Sequence, residues 1–421
     1  MRTREFRALD GNDEAVISRL ALGLGEEPAR VLTFLHLRTE FTEEPATELT
    51  LRIGTGLSRG ALTTAVGHLE SADLVDRTTV RGEGPGRPPT AWDVSTDLDA
   101  AVRTVYRQRA RGLLERAREG WGVARSSRAA DESNDGLVLG LNWRPNGLHL
   151  PFYAARRDER YGESGSDVRF EHYEGSRRAL EAVRAREADV GLVGAATVSR
   201  ARAGGAPVVP IAVAYQRAMA VLYTVRETFG EPLTGVGQLR ERRIGMPARS
   251  ETRILGRLFV NQVTLDGSVR IVDTAGEEQD ALLAGEVDVV TGSFSDPRQL
   301  EQRGMTVDTL AVADHFPIYG PTLVVHEGTL ADRGDALEAF LTGTIAGWAA
   351  APESSAAAAG IAERAGCSPD RIVRTFTEAN SEFGGSEAVA EHGWGRQDAE
   401  TWERLRTALE QGGLLAEGDV A

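Results

Sequence analysis

From Leu137 onward the chain alternates short apolar runs with amphipathic stretches of helical period, and it does so twice. Leu137 to Leu141, Val168 to Tyr173, Val190 to Val193 and Val208 to Ala214 read as strands, with helices His149 to Arg160, Ser176 to Arg186 and Thr197 to Ala203 between them. A second series starts at Ile244-Gly245-Met246. It runs through helix Ser250 to Val260, strand Val269 to Val272, helix Glu277 to Ala284 and strand Val287 to Thr291. Strands separated by helices do not pair as hairpins; they need parallel neighbours and faces covered by helices. The pattern predicts an α/β unit of two lobes, each the size of a small folding unit. The apolar runs Ala220 to Val225 and Thr322 to Val325 are expected to cross between the lobes, giving lobe 1 about 137–222 plus 320–421 and lobe 2 about 223–319. Asp335 to Leu415 reads as helical and is expected to pack back on lobe 1.

The first 120 residues follow another pattern. Asp13 to Leu22 and Pro28 to Arg38 have helical apolar spacing, and proline suits a first helical turn. Ala46 to Ile53 reads as a short helix broken by Gly54-Thr55-Gly56, and Ser58 is placed to cap a second helix through Leu62, Val66 and Leu69. Two helices around a glycine turn form the helix-turn-helix pattern. Leu74 to Val80 and Thr90 to Val94 read as strands flanking Gly82-Glu83-Gly84-Pro85-Gly86-Arg87-Pro88-Pro89, which neither helix nor strand interior accepts. This stretch resembles the winged-helix regulators of archaea and bacteria, through its Leu74-Val75-Asp76-Arg77 run and its Gly86-Arg87-Pro88 tip. The resemblance implies a mostly α winged-helix domain over 1–95 that binds double-stranded DNA. Ser58, Arg59, Thr63, Thr64 and His68 would line the recognition helix, and Arg81 and Arg87 would bring the wing to phosphates or a minor groove. Residues 96–136 read as a connecting helix, Asp97 to Glu119, and a linker; the helix is either a subunit-pairing element of a homodimer or a solvated arginine-rich surface.

Two α/β lobes joined by two crossings resemble the periplasmic-binding-protein architecture of type II. There a ligand lies between the lobes, at strand carboxyl ends and helix N-termini. Leu141-Asn142-Trp143 followed by His149 and Tyr153-Ala154-Ala155 is similar to the opening of the thiamine-pyrimidine-precursor binding proteins and the yeast pyrimidine synthase. Glu187 to Val193, Arg243 to Met246 and Gly285 to Val289 extend the resemblance, and are shared by relatives that bind sulfonates, nitrate and riboflavin precursors. Trp143 offers a flat face for a planar heterocycle, and Asn142 both donates and accepts. His149 and Tyr153 share one helix face. Strand ends and crossings add Thr197, Tyr215, Ser250, Glu251, Phe294 and Tyr319 as candidate ligand-binding residues. For an isolated Trp or His, core packing or helix capping is the competing reading.

These resemblances imply a regulator that senses a thiamine-pathway pyrimidine and controls thiamine synthesis or uptake genes. Alternatives are a sensor of another ligand of that group, a pyrimidine-synthesising enzyme, or an extracytoplasmic transport receptor. The enzyme reading is disfavoured. The synthase depends on a cysteine-rich loop, and the matching stretch Asp314 to Gly320 has no cysteine. All 48 basic residues are arginine, so no lysine exists to hold pyridoxal phosphate, and no cofactor is expected. The lone Cys367 excludes an internal disulfide, and the seven histidines lack metal-ligand spacing. No apolar run reaches membrane-span length and no signal-peptide core is present, so a cytoplasmic location without membrane partners is expected. A net charge of −15 without lysine resembles proteins of salt-loving, GC-rich organisms. Residues 1–120 carry 17 arginines against 19 carboxylates, a net of −2, so they are the segment less hostile to a polyanion.

Overall fold

The computed structural model describes residues 8–80, 88–126, 136–165 and 167–415. At the N-terminus, α1 (Glu14–Leu24) and α2 (Glu26–Thr39) meet at Gly25, whose φ of 84° lets the chain reverse without a gap between helices. β1 (Ala46–Thr47) leads into α3 (Glu48–Thr55), so the predicted helix over 46–53 begins two residues late. α3 ends on Gly56 in the left-handed region, and Ser58 caps α4 (Arg59–Ser71) by accepting from the Ala61 N–H at 3.2 Å. β2 (Val75–Thr79) and β3 (Thr90–Val94) pair antiparallel, and β1 joins on the other side of β3. Arg81 and Arg87 lie outside the described residues.

α5 (Leu98–Trp121) is capped by Asp97 and carries Val102, Val105, Leu113 and Leu114 inward. Its apolar side packs within the chain, against α1 and against a long helix of the C-terminal part. The apolar side of α5 is therefore covered within the chain.

Lobe 1 is a five-stranded sheet built from β4 (Leu137–Leu141), α6 (Leu150–Arg157), α7 (Arg160–Glu163), β5 (Val168–His172), α8 (Ser176–Arg184), β6 (Val190–Gly194), α9 (Ala195–Ala203) and β7 (Val208–Val213). Lobe 2 contains β8 (Ala220–Val225), α10 (Arg226–Phe229), β9 (Arg243–Met246), α11 (Glu251–Gln262), β10 (Arg270–Asp273), α12 (Glu278–Leu283), β11 (Val289–Ser293), α13 (Pro297–Glu301) and β12 (Val307–Ala311). β13 (Pro321–His326) returns to lobe 1, followed by α14 (Glu327–Asp332), α15 (Gly334–Ala350), α16 (Ser355–Ala365), α17 (Pro369–Phe383), α18 (Glu387–His392) and α19 (Ala399–Gln411).

The two sheets repeat one plan. Lobe 1 runs β5-β4-β6-β13-β7 and lobe 2 runs β10-β9-β11-β8-β12. In each, the first three strands listed are parallel, and the fourth, just delivered from the other lobe, is antiparallel to both neighbours. Ala220 to Val225 and Thr322 to Val325 are thus central strands, not crossings. Their all-apolar character reflects burial on both faces. The crossings are 214–219 and 312–320, and they are bonded to each other: Tyr215 N–H donates to Pro321 (3.2 Å), Gly320 N–H to Tyr215 (2.9 Å) and Ala218 N–H to Ile318 (2.8 Å). α15 lies against α5 and α6, while α19 touches α9 and α11 and so leans on both lobes, where lobe 1 alone was expected.

Candidate ligand-binding site

At the carboxyl end of β4 the chain turns through Asn142 and Trp143. Trp143 is 54% exposed, unusual for an indole, while its carbonyl accepts from His172 Nδ1 at 2.6 Å. That bond fixes the His172 tautomer: Nδ1 carries the proton, so Nε2 accepts from the Tyr153 hydroxyl at 3.0 Å. Arg364 donates to the same hydroxyl at 3.1 Å, and the Tyr153 ring packs at a tilt on Phe170, centroids 5.0 Å apart. Tyr153 is therefore held from three sides and serves to position His172.

His149 lies 5.6 Å from the His172 ring, centroid to centroid, and is 1% exposed. Burial, with a smaller push from His172, lowers its pKa to about 3, so it is neutral at pH 7. Its Nδ1 is buried and, among the described residues, has no hydrogen-bond partner. A buried ring nitrogen without a partner has a free energy cost, and a ligand atom that supplied the partner would remove it. Asn142 Nδ2 reaches Ser176 Oγ at 3.5 Å, and among the described residues its side-chain oxygen has no protein partner.

Ser176 opens α8 after Gly175, whose φ is 93°. Its Oγ accepts from the Gly194 N–H at 3.0 Å, which ties this cluster to the start of α9. There the Glu251 carboxylate arrives from the other lobe. It accepts from the Ala196 N–H (3.1 Å), the Thr197 N–H (3.2 Å) and the Thr197 hydroxyl. Desolvation raises the Glu251 pKa, opposed by these three bonds and by Arg200. The apolar sides of α9 and α11 pack beside it, through Val198, Ile254, Leu255 and Leu258 in one shared core. The lobes are thus in contact through a carboxylate bound to a helix N-terminus.

The remaining candidates are placed otherwise. Ser250 caps α11 by accepting from the Arg253 N–H at 3.0 Å, and its hydroxyl donates to Pro247 at 2.8 Å. Tyr215 is fully buried, with its ring edge on Trp348 and its hydroxyl donating to the Leu148 carbonyl at 3.2 Å; burial raises its pKa. Tyr319 packs on Trp402 and accepts from the Asp398 N–H at 2.8 Å. Both tyrosines stiffen the crossings and present no phenol to a ligand. Phe294 is half-buried against Phe383 of α17. His172 and Ser176 were missed, although both follow the strand-end logic that found Asn142.

On the N-terminal unit, Ser58, Arg59, Thr63, Thr64 and His68 are exposed along one side of α4. Arg59 pairs with Glu48 at 2.9 Å, and the Thr63 hydroxyl donates back to the Arg59 carbonyl. Partial desolvation lowers the His68 pKa, aided by His392 and Arg109. Among the described residues no cluster of His, Cys, Asp and Glu could hold a metal ion, and no helix is long and apolar enough to cross a membrane.

Comparisons with known proteins fit this geometry. A riboflavin-binding protein, RibY of Chloroflexus aurantiacus, is 25% identical over 293 residues, covering 66% of this chain and 82% of that one. The periplasmic aliphatic sulphonate binding protein SsuA of Escherichia coli superposes with a TM-score of 0.52 at 16% identity, over 67% of this chain and 94% of that one. A Candida albicans protein described as having the generic periplasmic binding protein fold gives a TM-score of 0.51 at 16% identity, over 68% and 93%. These likenesses establish a two-lobed periplasmic-binding-protein-like fold. Residues 146–358, just over half of the chain, match the NMT1/THI5-like family, and the chain belongs to that family.

Proposed function

We propose that this protein is a ligand-responsive transcriptional regulator, binding a small nitrogen heterocycle between its lobes and double-stranded DNA through its N-terminal unit. The carrying observations are the half-exposed indole of Trp143, whose carbonyl accepts from His172, and, 5.6 Å from that imidazole ring, a neutral, buried His149 whose Nδ1 has no partner among the described residues. An aminopyrimidine of thiamine synthesis suits this pair. Its ring stacks on the indole, and its donors and acceptors match the Asn142 carbonyl oxygen and the imidazole. Such a ligand needs no charge of its own. A flavin or flavin precursor is the second reading, favoured by the likeness to the Chloroflexus riboflavin-binding protein. Binding without turnover is supported by the likeness to a riboflavin-binding and a sulphonate-binding protein.

The DNA reading rests on α3, the Gly56 turn and α4, on the exposed polar face of α4, and on the near-neutral charge of this segment. The genes under control would be those of thiamine synthesis or uptake. A thermal-shift panel tests the ligand. Hydroxymethylpyrimidine should stabilise the chain, and Trp143→Ala should abolish the shift while leaving the unliganded Tm within about 1 °C, because the indole is exposed. Stabilisation by riboflavin alone would transfer the assignment to flavins. Arg59→Ala should weaken DNA binding in fluorescence anisotropy, across sequences and most at low salt.

A further inference from the structure

In a two-lobed binder the N-terminus of a helix at the cleft is where an anionic group of a ligand finds N–H donors. Here that position on α9 is filled by the chain itself. Glu251, from the opposite lobe, takes the Ala196 and Thr197 amides and the Thr197 hydroxyl. A second observation agrees. Gly194, just before α9, has φ −64° and ψ 141°, open to any residue, yet a Cβ there would run into the Glu251 carboxylate. Glycine at this point leaves room for the carboxylate and answers no backbone need.

We propose that Glu251 is a specificity-determining residue: a built-in carboxylate that occupies the anion-accepting end of α9 and restricts the cleft to ligands that are neutral or cationic at that end. This deepens the ligand reading above and rests on it. Sulfonates are turned away because the Ala196 and Thr197 donors are already taken and their charged group meets a carboxylate. The same contact bridges the lobes, so a neutral ligand can be enclosed without bringing a group to join them.

The test uses the full chain, with sodium methanesulfonate and inorganic sulfate as probes, by calorimetric titration at low ionic strength. The wild type should show no saturable binding of either anion. Glu251→Ala and Gly194→Ala should each gain saturable anion binding, at least about 10-fold tighter than wild type. Gly194→Ala keeps the carboxylate but displaces it, and the atoms that must move are the end of a flexible side chain, so it guards against a folding defect in Glu251→Ala. Adding Thr197→Val to Glu251→Ala should weaken the gained binding. Wild-type binding of methanesulfonate as tight as that of Glu251→Ala overturns the proposal; so does a folded Gly194→Ala with no anion affinity. Neither result depends on the pyrimidine. If the anion results hold and the pyrimidine does not bind, only the choice of heterocycle fails.

Discussion

His149 and Asp296 give opposite pH signatures. The folded pKa of His149, about 3, lies below its ordinary value of 6.5, so the unfolded chain takes up the proton first. Its contribution is complete above pH 6.5 and is lost as pH falls from 6.5 toward 3, about 2 kcal/mol by pH 5. His149→Gln should flatten that part of the stability profile in urea unfolding. Burial pushes the Asp296 carboxyl the other way, from 3.8 up to about 6, with Ser293 N–H opposing and Glu278 assisting. A raised acid pKa means the folded state prefers the protonated form, so stability is present below 3.8 and lost as pH rises through 6. Asp296→Asn, which keeps an acceptor for Ser293, should therefore stabilise the chain at pH 7.5 by on the order of 1–2 kcal/mol and have little effect at pH 4. No change at either pH would show that Asp296 is solvated. At this scale the sequence exposed part of the site. Trp143 and His149 stood out because a strand ended beside them. Tyr215 and Tyr319 look identical to cleft residues in sequence, and only tertiary packing turns their rings into the core.

At the level of elements, the strand–helix alternation was legible because each β-run is bounded by turn residues and each helix has one apolar face, as in Ser176–Arg184. β8 and β13 were misread as crossings for a physical reason: a central antiparallel strand is apolar on both faces, and an apolar run carries no mark of its direction. α5 shows the complementary limit. Its apolar stripe was visible, its partner was not, since a stripe says nothing of whether its cover lies in the same chain. The cover is intramolecular, and Arg109 anchors it. Arg109 is 7% exposed, and its guanidinium donates to the carbonyls of Trp394 (2.7 Å) and Gly393 (2.8 Å). Burial, with Arg116 and Arg396 nearby, lowers its pKa to about 9. Arg109→Met should destabilise the chain by about 2–4 kcal/mol in urea unfolding, because two buried carbonyls lose their donors. A change under 0.5 kcal/mol would mean water replaces them.

Across the whole molecule, residues 383–398 form a strap between the hinge and the N-terminal unit. On one side Phe383 accepts from the Arg217 N–H, Arg396 accepts from Gln216 Nε2 and Gly395 accepts from the Val213 N–H, all at the first crossing. On the other, the Trp394 N–H donates to Leu22 of α1 at 2.8 Å and Arg109 of α5 holds the same turn. Trp394 also lies 5.0 Å from Trp348, inside the core that runs unbroken from α1 to lobe 1. The crossings are thus linked to α1 and α5 by a short series of buried contacts within the chain. Amide hydrogen exchange of the full chain with and without hydroxymethylpyrimidine tests most directly whether ligand binding at Trp143 reaches the strap and α1. Slower exchange is expected at 142–153 and 172–197, together with altered exchange at 383–398 and in α1. Unchanged exchange throughout, or protection confined to segments away from Trp143, would contradict that expectation.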